Sequence, residues 1–389
     1  MTDSTDFLPE FTIITNAHVL APEDQGIKNV LIAGNKIFRI TTENIELPAH
    51  LDPVKKFDLE GNYLTPGFID GHVHIIGGGG EGGPATRTPE ITLSRLSKAG
   101  VTTVMGVLGT DGTTRSLNAL LAKCQALREE GLSAWIYTGA YQVPTPTILE
   151  SIRQDMALLE AVLGTKVAIS DHRSSQPTHA QLRHVVSESR VGGMLGGKPG
   201  LVHMHVGSGE NGLEPIFELL RKTEIPASQF YPTHVSRSKE LLVQAAELTR
   251  KGGTVDVTAG TKAAQAVQFL WEQEAVPGRI TLSSDANGSK PRFNTKGEFV
   301  GLGVGSPDTI LSTVQDLNQA GVPISDALAL VTENPARQMD LVGQKGEIIT
   351  GYDADLLCLN KEDLTLRHVW AKGQTLVEEG EPKVLGTFE

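Results

Sequence analysis

Cysteine is nearly absent from this chain. Its 389 residues contain only Cys124 and Cys358, far apart in sequence, so no disulfide framework organises the fold and a reducing cytoplasm is the expected location. The opening residues Met1-Thr2-Asp3-Ser4-Thr5-Asp6 have neither the basic nor the apolar region of a secretory signal, in line with that expectation. Long apolar runs are missing too, since none approaches the roughly 18 residues that cross a bilayer as a helix. Positive charge is in deficit: 34 Lys plus Arg stand against 46 Asp plus Glu, a net charge of -12. That balance argues against partners recognised by general attraction, nucleic acid and anionic membrane among them. An anionic substrate would have to be held by individual arginines.

The length leaves well over a hundred residues beyond a (β/α)8 barrel of about 250, so two folding units are expected. Short strand-like runs (Phe11-Thr12-Ile13-Ile14, Val30-Leu31-Ile32-Ala33, Lys36-Ile37-Phe38-Arg39-Ile40) fill the chain up to about Tyr63, and Ala33-Gly34-Asn35-Lys36 suits a tight hairpin. The same texture returns with Ala354 to Leu359, Leu366 to Trp370 and Gln374 to Val377. Both ends are therefore assigned to one small β-sandwich domain, residues 1–65 and 344–389, flanking a barrel of residues 66–343. Within that middle region eight strand-like runs alternate with helical patterns: Phe68–Ile75, Val101–Leu108, Ala134–Gly139, Val167–Ser170, Leu201–Val206, Phe230–Val235, Thr254–Thr258 and Ile280–Ser284. Such alternation predicts an α/β fold with a parallel sheet. Thr88-Pro89-Glu90 reads as a helix start, with a hydroxyl cap, a proline at the first helical position and an acid near the positive helix end.

The chemistry is signalled by Leu64-Thr65-Pro66-Gly67-Phe68-Ile69-Asp70-Gly71-His72-Val73-His74, an apolar run ending in His-x-His. Side chains two apart on a strand share a face, so His72 and His74 can present two imidazoles to one cation. Further signals fall at later strand ends: Lys166, His205, His234 and Asp285. A closed parallel barrel gathers such residues on the face formed by the carboxyl ends of its strands. Imidazole and carboxylate are ligands that suit zinc. His203 shares a face with His205, and the residue nearer the strand's carboxyl end is the expected ligand, with His203 packed deeper. His18, His50, His179, His184 and His368 read as structural or exposed.

Lys166 does not fit a ligand set unless its amine is carboxylated by carbon dioxide to an anionic carbamate, whose two oxygens can bridge two metals. It precedes its apolar run, so strand four would have to end early for the side chain to reach the site. Spacing alone leaves Lys198, in Gly196-Gly197-Lys198-Pro199, as a competitor on a loop.

The sequence resembles the amidohydrolase superfamily in Pro66-Gly67-Phe68-Ile69-Asp70-Gly71-His72-Val73-His74 and in Lys345-Gly346-Glu347-Ile348, Gly351 and Asp353-Ala354-Asp355-Leu356. More narrowly, and along nearly its whole length, it is similar to the isoaspartyl dipeptidase family. The matches are Gly77-Gly78-Gly79-Gly80-Glu81, Thr138-Gly139-Ala140-Tyr141, Ile169-Ser170-Asp171-His172-Arg173-Ser174, Pro232-Thr233-His234-Val235-Ser236-Arg237 and Ser283-Ser284-Asp285-Ala286-Asn287-Gly288-Ser289. The resemblance implies a (β/α)8 TIM barrel holding two zinc ions, one on His72, His74 and Asp285 and the other on His205 and His234. N6-carboxylysine at Lys166 and a hydroxide would bridge them. It also implies that Gly79, Glu81, Thr110, Tyr141, Arg173, Arg237 and Ser289 contact substrate, and that the protein is a homo-oligomer, possibly an octamer.

Two cations sharing a water lower its pKa toward neutrality, which makes hydrolysis the expected reaction. Asp285 would serve as base and then acid, and Tyr141 would donate to the carbonyl oxygen. The glycines from Gly77 to Gly83 are expected to leave backbone N–H groups open to anions or carbonyl oxygens; a phosphate loop is the weaker reading, for no Gly-Lys-Ser or Gly-Lys-Thr follows. Arg173 and Arg237 suit two carboxylates and Glu81 an ammonium, the inventory of a β-aspartyl dipeptide. Two rivals share the architecture: a cyclic-amide hydrolase like dihydroorotase or hydantoinase, and a non-catalytic assembly protein that has lost its metals. Glu81 argues against the first, since a ring imide has no ammonium, and the full set of ligand-competent side chains argues against the second.

Overall fold

The computed structural model describes residues 10–51, 54–293 and 299–389; the stretch from Met1 to Asp6 lies outside them. Eight strands form the central sheet: β1 (Phe68–Val73), β2 (Val101–Gly106), β3 (Ser133–Gly139), β4 (Val162–Ile169), β5 (Leu201–Val206), β6 (Phe230–Thr233), β7 (Val255–Thr258) and β8 (Ile280–Ser283). They pair in sequence order, every neighbour parallel, with helices between them. Parallel strands are covered on both faces, which is why β5 is buried at every residue even though it carries two histidines.

The sheet closes between β8 and β1. A parallel bridge joins Val73 to Ala286, and the His74 N–H donates to the Ala286 carbonyl at 2.9 Å. Below it, the Asp70 carboxylate on β1 accepts from the Ser284 backbone N–H at 3.1 Å and from the Ser284 hydroxyl. Burial pushes the Asp70 carboxyl up to about 7, against the pull of those bonds and of the His72 N–H. Deeper in the barrel, Thr233, Thr281 and Ser283 aim three hydroxyls at Asp256, and Tyr137, Tyr231 and Met339 fill the floor.

Both chain ends enter one nine-stranded sheet, so the β-sandwich expected of them takes the form of a single hydrogen-bonded sheet branched at Phe11–Leu20. Tyr63–Pro66 pairs antiparallel with Leu356–Leu359, and that pairing joins the two ends. The hairpin at Ala33-Gly34-Asn35-Lys36 is present, with Gly34 at φ 58 supplying the left-handed position. This sheet has its own core of Ile14, Val19, Ile32, Leu64, Cys358 and Trp370. Cys358 and Cys124 are both buried and free. Among the described residues no helix is long and apolar enough to cross a membrane.

The helix start expected at Thr88-Pro89-Glu90 is not one; the helix begins at Leu93 (Leu93–Ser97). The Thr88 hydroxyl is taken by the loops of the barrel mouth instead, accepting from the Gly78 N–H at 2.7 Å and donating to the Asn287 carbonyl at 2.6 Å. A cap residue competes for several backbone partners, and here a tertiary one wins. Helices that keep a hydroxyl cap follow Ser116, Ser151, Thr178 and Ser238.

Candidate active site

Each expected ligand residue except Lys166 stands at or near the carboxyl end of a barrel strand. His72 and His74 leave β1, Lys166 lies on β4, His205 on β5, His234 follows β6 and Asp285 follows β8. His234 and Asp285 adopt left-handed backbones, at φ 65 and φ 51, where non-glycine residues are strained and sit at turns under functional demand. His72, His234 and Asp285 each bring one ligand atom within 4.8 Å of the others. Asp285 Oδ1 lies 3.5 Å from His72 Nε2 and 3.3 Å from His74 Nε2, and the rings of His205 and His234 are 4.7 Å apart.

Lys166 reaches this cluster differently from the expectation. Strand β4 starts at Val162 and runs past Lys166 to Ile169, so the lysine is in mid-strand and no early ending is needed. Alternation decides its direction: the Thr165 hydroxyl bonds to Ser189 on the helix His179–Gly196 at 2.9 Å, which turns Lys166 to the opposite, inward face. The register sets Lys166 beside His203 and Gly139. Its side chain is wholly buried and its Nζ has no hydrogen-bond partner. Burial brings the amine down to about 7, opposed by Asp285 and Asp256. Lys198 is elsewhere, donating to the Leu159 carbonyl at 2.6 Å.

The second nitrogen is engaged in three of the four rings, while His74 Nδ1 is buried without a hydrogen-bond partner. His234 Nδ1 meets Thr258 Oγ1 at 2.6 Å, and His72 Nδ1 meets His203 Nε2 at 3.0 Å. His205 Nε2 donates to Asp171 Oδ2 at 2.7 Å, so its Nδ1 holds the lone pair and accepts from the Tyr141 hydroxyl at 2.6 Å. Burial lowers the pKa of His72 and His234 far below the usual range and that of His205 to about 3, so all three are neutral and each has a lone pair to offer. Burial would raise Asp285, but the bond to His74 and the positive charge of Lys290 help outweigh it and hold the carboxyl below its ordinary range. Burial keeps the Tyr141 phenol protonated.

A cavity of about 430 Å³ opens above the cluster, lined by Gly79, Glu81, Thr110, Tyr141, Arg173, Arg237 and Ser289, together with His74, His205, His234 and Asp285. His72 and Lys166 lie beneath its floor. The two arginines differ. Arg173 is locked to Asp171 through Nε (2.9 Å to Oδ1) and Nη2 (2.8 Å to Oδ2), and its Nη1 pairs with Glu81 at 3.1 Å. Arg237 is exposed and, among the described residues, has no ion pair or hydrogen bond from its guanidinium. Glu81 also accepts from Thr110 Oγ1 at 3.3 Å.

The glycine loop is not the open array of amides expected. The N–H groups of Gly77, Gly78, Gly80, Gly82 and Gly83 are all bonded within the loop and its supports; Gly79 alone among these glycines has none. The glycines serve close approach: a Cβ on Gly77 or Gly79 would strike the Thr88 or Thr86 carbonyl, and both residues have positive φ. Buried Arg115 braces the same loop by donating to the carbonyls of Ile76, Gly78 and Thr88. Sequence reasoning passed over Arg115, Thr258 and Asp171. The last had a visible signal: an acid two residues from Arg173 at a strand end, where a bidentate pair is sterically easy.

Neutral imidazoles and an ionised carboxylate on the catalytic rim of a parallel barrel define a hydrolase of the metal-binding kind, and the chain belongs to the amidohydrolase family, whose model matches residues 63–376. Within that family it is similar to the β-aspartyl dipeptidase of Fervidobacterium islandicum AW-1, whose structure in complex with β-Asp-Leu is 43% identical, covers 97% of this chain and 100% of that one, and superposes with a TM-score of 0.89. A second structure of that enzyme gives 40% identity at the same coverage and TM-score. Curated relatives match more locally: an adenine deaminase of Lactobacillus delbrueckii is 32% identical over 95 residues and an imidazolonepropionase of Ruegeria 36% over 110 residues. The chain spans only 15% and 26% of their respective lengths.

Proposed function

We propose that this protein is a dinuclear zinc peptidase that hydrolyses the isopeptide bond of β-aspartyl dipeptides. The observation that carries the reading is one cavity whose floor is an imidazole–carboxylate cluster and whose walls hold Glu81, Arg173 and Arg237, the last without an ion pair among the described residues. The similarity to a β-aspartyl dipeptidase along the whole chain supports it.

His72, His74 and Asp285 would hold one cation, His205 and His234 the other, with Lys166 between them as a carbamate. The fit rests on buried donor atoms with no other use: His72 Nε2 and Lys166 Nζ are both enclosed without a partner. A neutral amine is the form that adds carbon dioxide, and burial favours that form at Lys166. When bound, the cations would supply an acidified water and polarise the scissile carbonyl. Asp285, ionised in its resting state, takes the proton of the attacking water and returns it to the amide nitrogen, which cannot leave as an anion. The Tyr141 phenol exchanges His205 Nδ1 for the carbonyl oxygen as negative charge grows there.

A β-aspartyl dipeptide offers an α-ammonium, an α-carboxylate and a terminal carboxylate. Glu81 receives the ammonium, Arg237 takes one carboxylate, and Arg173 takes the other with the Nη1 that now faces Glu81. Gly79, Thr110 and Ser289 complete the polar wall. Steady-state assays against β-Asp-Leu, α-Asp-Leu and dihydroorotate test the reading. Turnover of β-Asp-Leu far above both others is expected, and equal or better turnover of either comparison compound refutes it.

Arg237→Ala should raise KM for β-Asp-Leu about tenfold or more with kcat nearly unchanged, since a charge-assisted hydrogen bond is worth about 1.5–3 kcal/mol and this arginine is solvent-exposed. A fall in kcat at constant KM would remove Arg237 from the binding role.

A further inference from the structure

We propose that His203 is a positioning residue that sets the tautomer of His72, so that the bare lone pair of His72 lies on Nε2, toward the cation site. This rests on the metal-site reading above. His203 is wholly buried on β5. Its ring stacks on Tyr137 at 4.8 Å with an interplanar angle of 23°, and it packs against Tyr231 at 4.7 Å and edge-on to His72 at 4.9 Å.

Counting protons along the chain of bonds fixes the arrangement. His203 Nδ1 lies 3.1 Å from the Tyr231 backbone carbonyl, which can only accept, so Nδ1 carries the hydrogen. Enclosed by aromatic rings, with no carboxylate hydrogen-bonded to it, the imidazole is neutral and has a single N–H; its Nε2 is therefore an acceptor. That nitrogen lies 3.0 Å from His72 Nδ1, which must donate. His72 then has no proton left for Nε2, the buried atom 3.5 Å from Asp285 Oδ1 that has no hydrogen-bond partner. The Tyr231 carbonyl thus fixes the state of a ring on β1 through a relay of two imidazoles.

The other three rings are set by different means, His74 Nδ1 being buried without a hydrogen-bond partner. His205 is held by a carboxylate, Asp171, and His234 by the hydroxyl of Thr258, which can turn either way. His203 is the relay anchored on a group that cannot donate. An imidazole without such a partner carries its proton on either nitrogen, and the Nε2–H form cannot bind a cation there.

The test is zinc affinity of the full chain, measured by competition with a chromophoric chelator. His203→Phe preserves ring packing between Tyr137 and Tyr231 but removes both nitrogens; His203→Gln retains an oxygen that accepts from His72 and an NH₂ that donates to the Tyr231 carbonyl. Zinc binding roughly 10- to 100-fold weaker is expected in the Phe variant, with most of the loss recovered in the Gln variant. Wild-type affinity in the Phe variant, or equal loss in both, overturns the role. If the Phe variant does not fold, the Gln variant decides: affinity within about tenfold of wild type supports the relay, and a larger loss overturns it. A wild-type chain that holds no zinc refutes the metal-site reading itself, and the inference with it.

Discussion

Lys166→Ala is expected to empty the cation site and to lower kcat on β-Asp-Leu by at least about 10³-fold, because a bound cation contributes several kcal/mol of transition-state stabilisation. On the proposed reading the lysine, beneath the cavity floor, would supply an anionic bridge within the imidazole cluster, and among the described residues nothing bonds to its amine. Removing the side chain leaves space where that bridge would lie. Added acetate or propionate should therefore restore part of the activity and of the bound zinc, by supplying two carboxylate oxygens where the proposed carbamate would have them. Zinc per chain by atomic emission and kcat against carboxylate concentration are the measurements. Full activity in the unsupplemented variant would eliminate the bridge, and loss without any recovery would leave the lysine a packing residue.

Asp285→Asn is expected to lower kcat by about 10²- to 10⁴-fold, the usual worth of a positioned general acid and base, with KM changed little. The amide retains an oxygen facing His72 and His74 but cannot carry a proton between water and leaving amine. A β-aspartyl p-nitroanilide separates the two roles, because its weakly basic amine leaves with far less protonation. The loss on that substrate should be clearly smaller than on β-Asp-Leu. Equal losses on both would mean that Asp285 acts through ligation alone.

Much of this architecture is legible in the sequence because parallel strands are apolar on both faces and polar only where they end. His72, His74, His205, His234 and Asp285 interrupt or close such runs, so their positions on one rim follow from strand order alone. Lys166 was harder. Its strand includes Gly164, a residue that does not advertise a strand, and the face Lys166 shows is marked by the bond of Thr165 to the helix hydroxyl at Ser189. The glycine loop misled for a related reason: a run of glycines signals freedom, while Thr88, Arg115 and Asn287, distant in sequence, spend that freedom on internal bonds. Asp171 stands two residues before Arg173, yet which of two arginines stays available depends on packing that no local pattern encodes.

The antiparallel pairing of Tyr63–Pro66 with Leu356–Leu359 has a bearing on how the molecule assembles. The Gly67 N–H, on the residue just before β1, donates to the Asp355 carbonyl at 2.8 Å, so the strand that delivers His72 and His74 is anchored to a segment made much later on the ribosome. High contact order of this kind slows folding and leaves early intermediates with an unpaired edge. The nascent polypeptide would emerge with the entry to its first barrel strand waiting for Asp355 and Leu356–Leu359, and truncation before Leu356 should yield chaperone-bound or aggregated product in place of a smaller working enzyme.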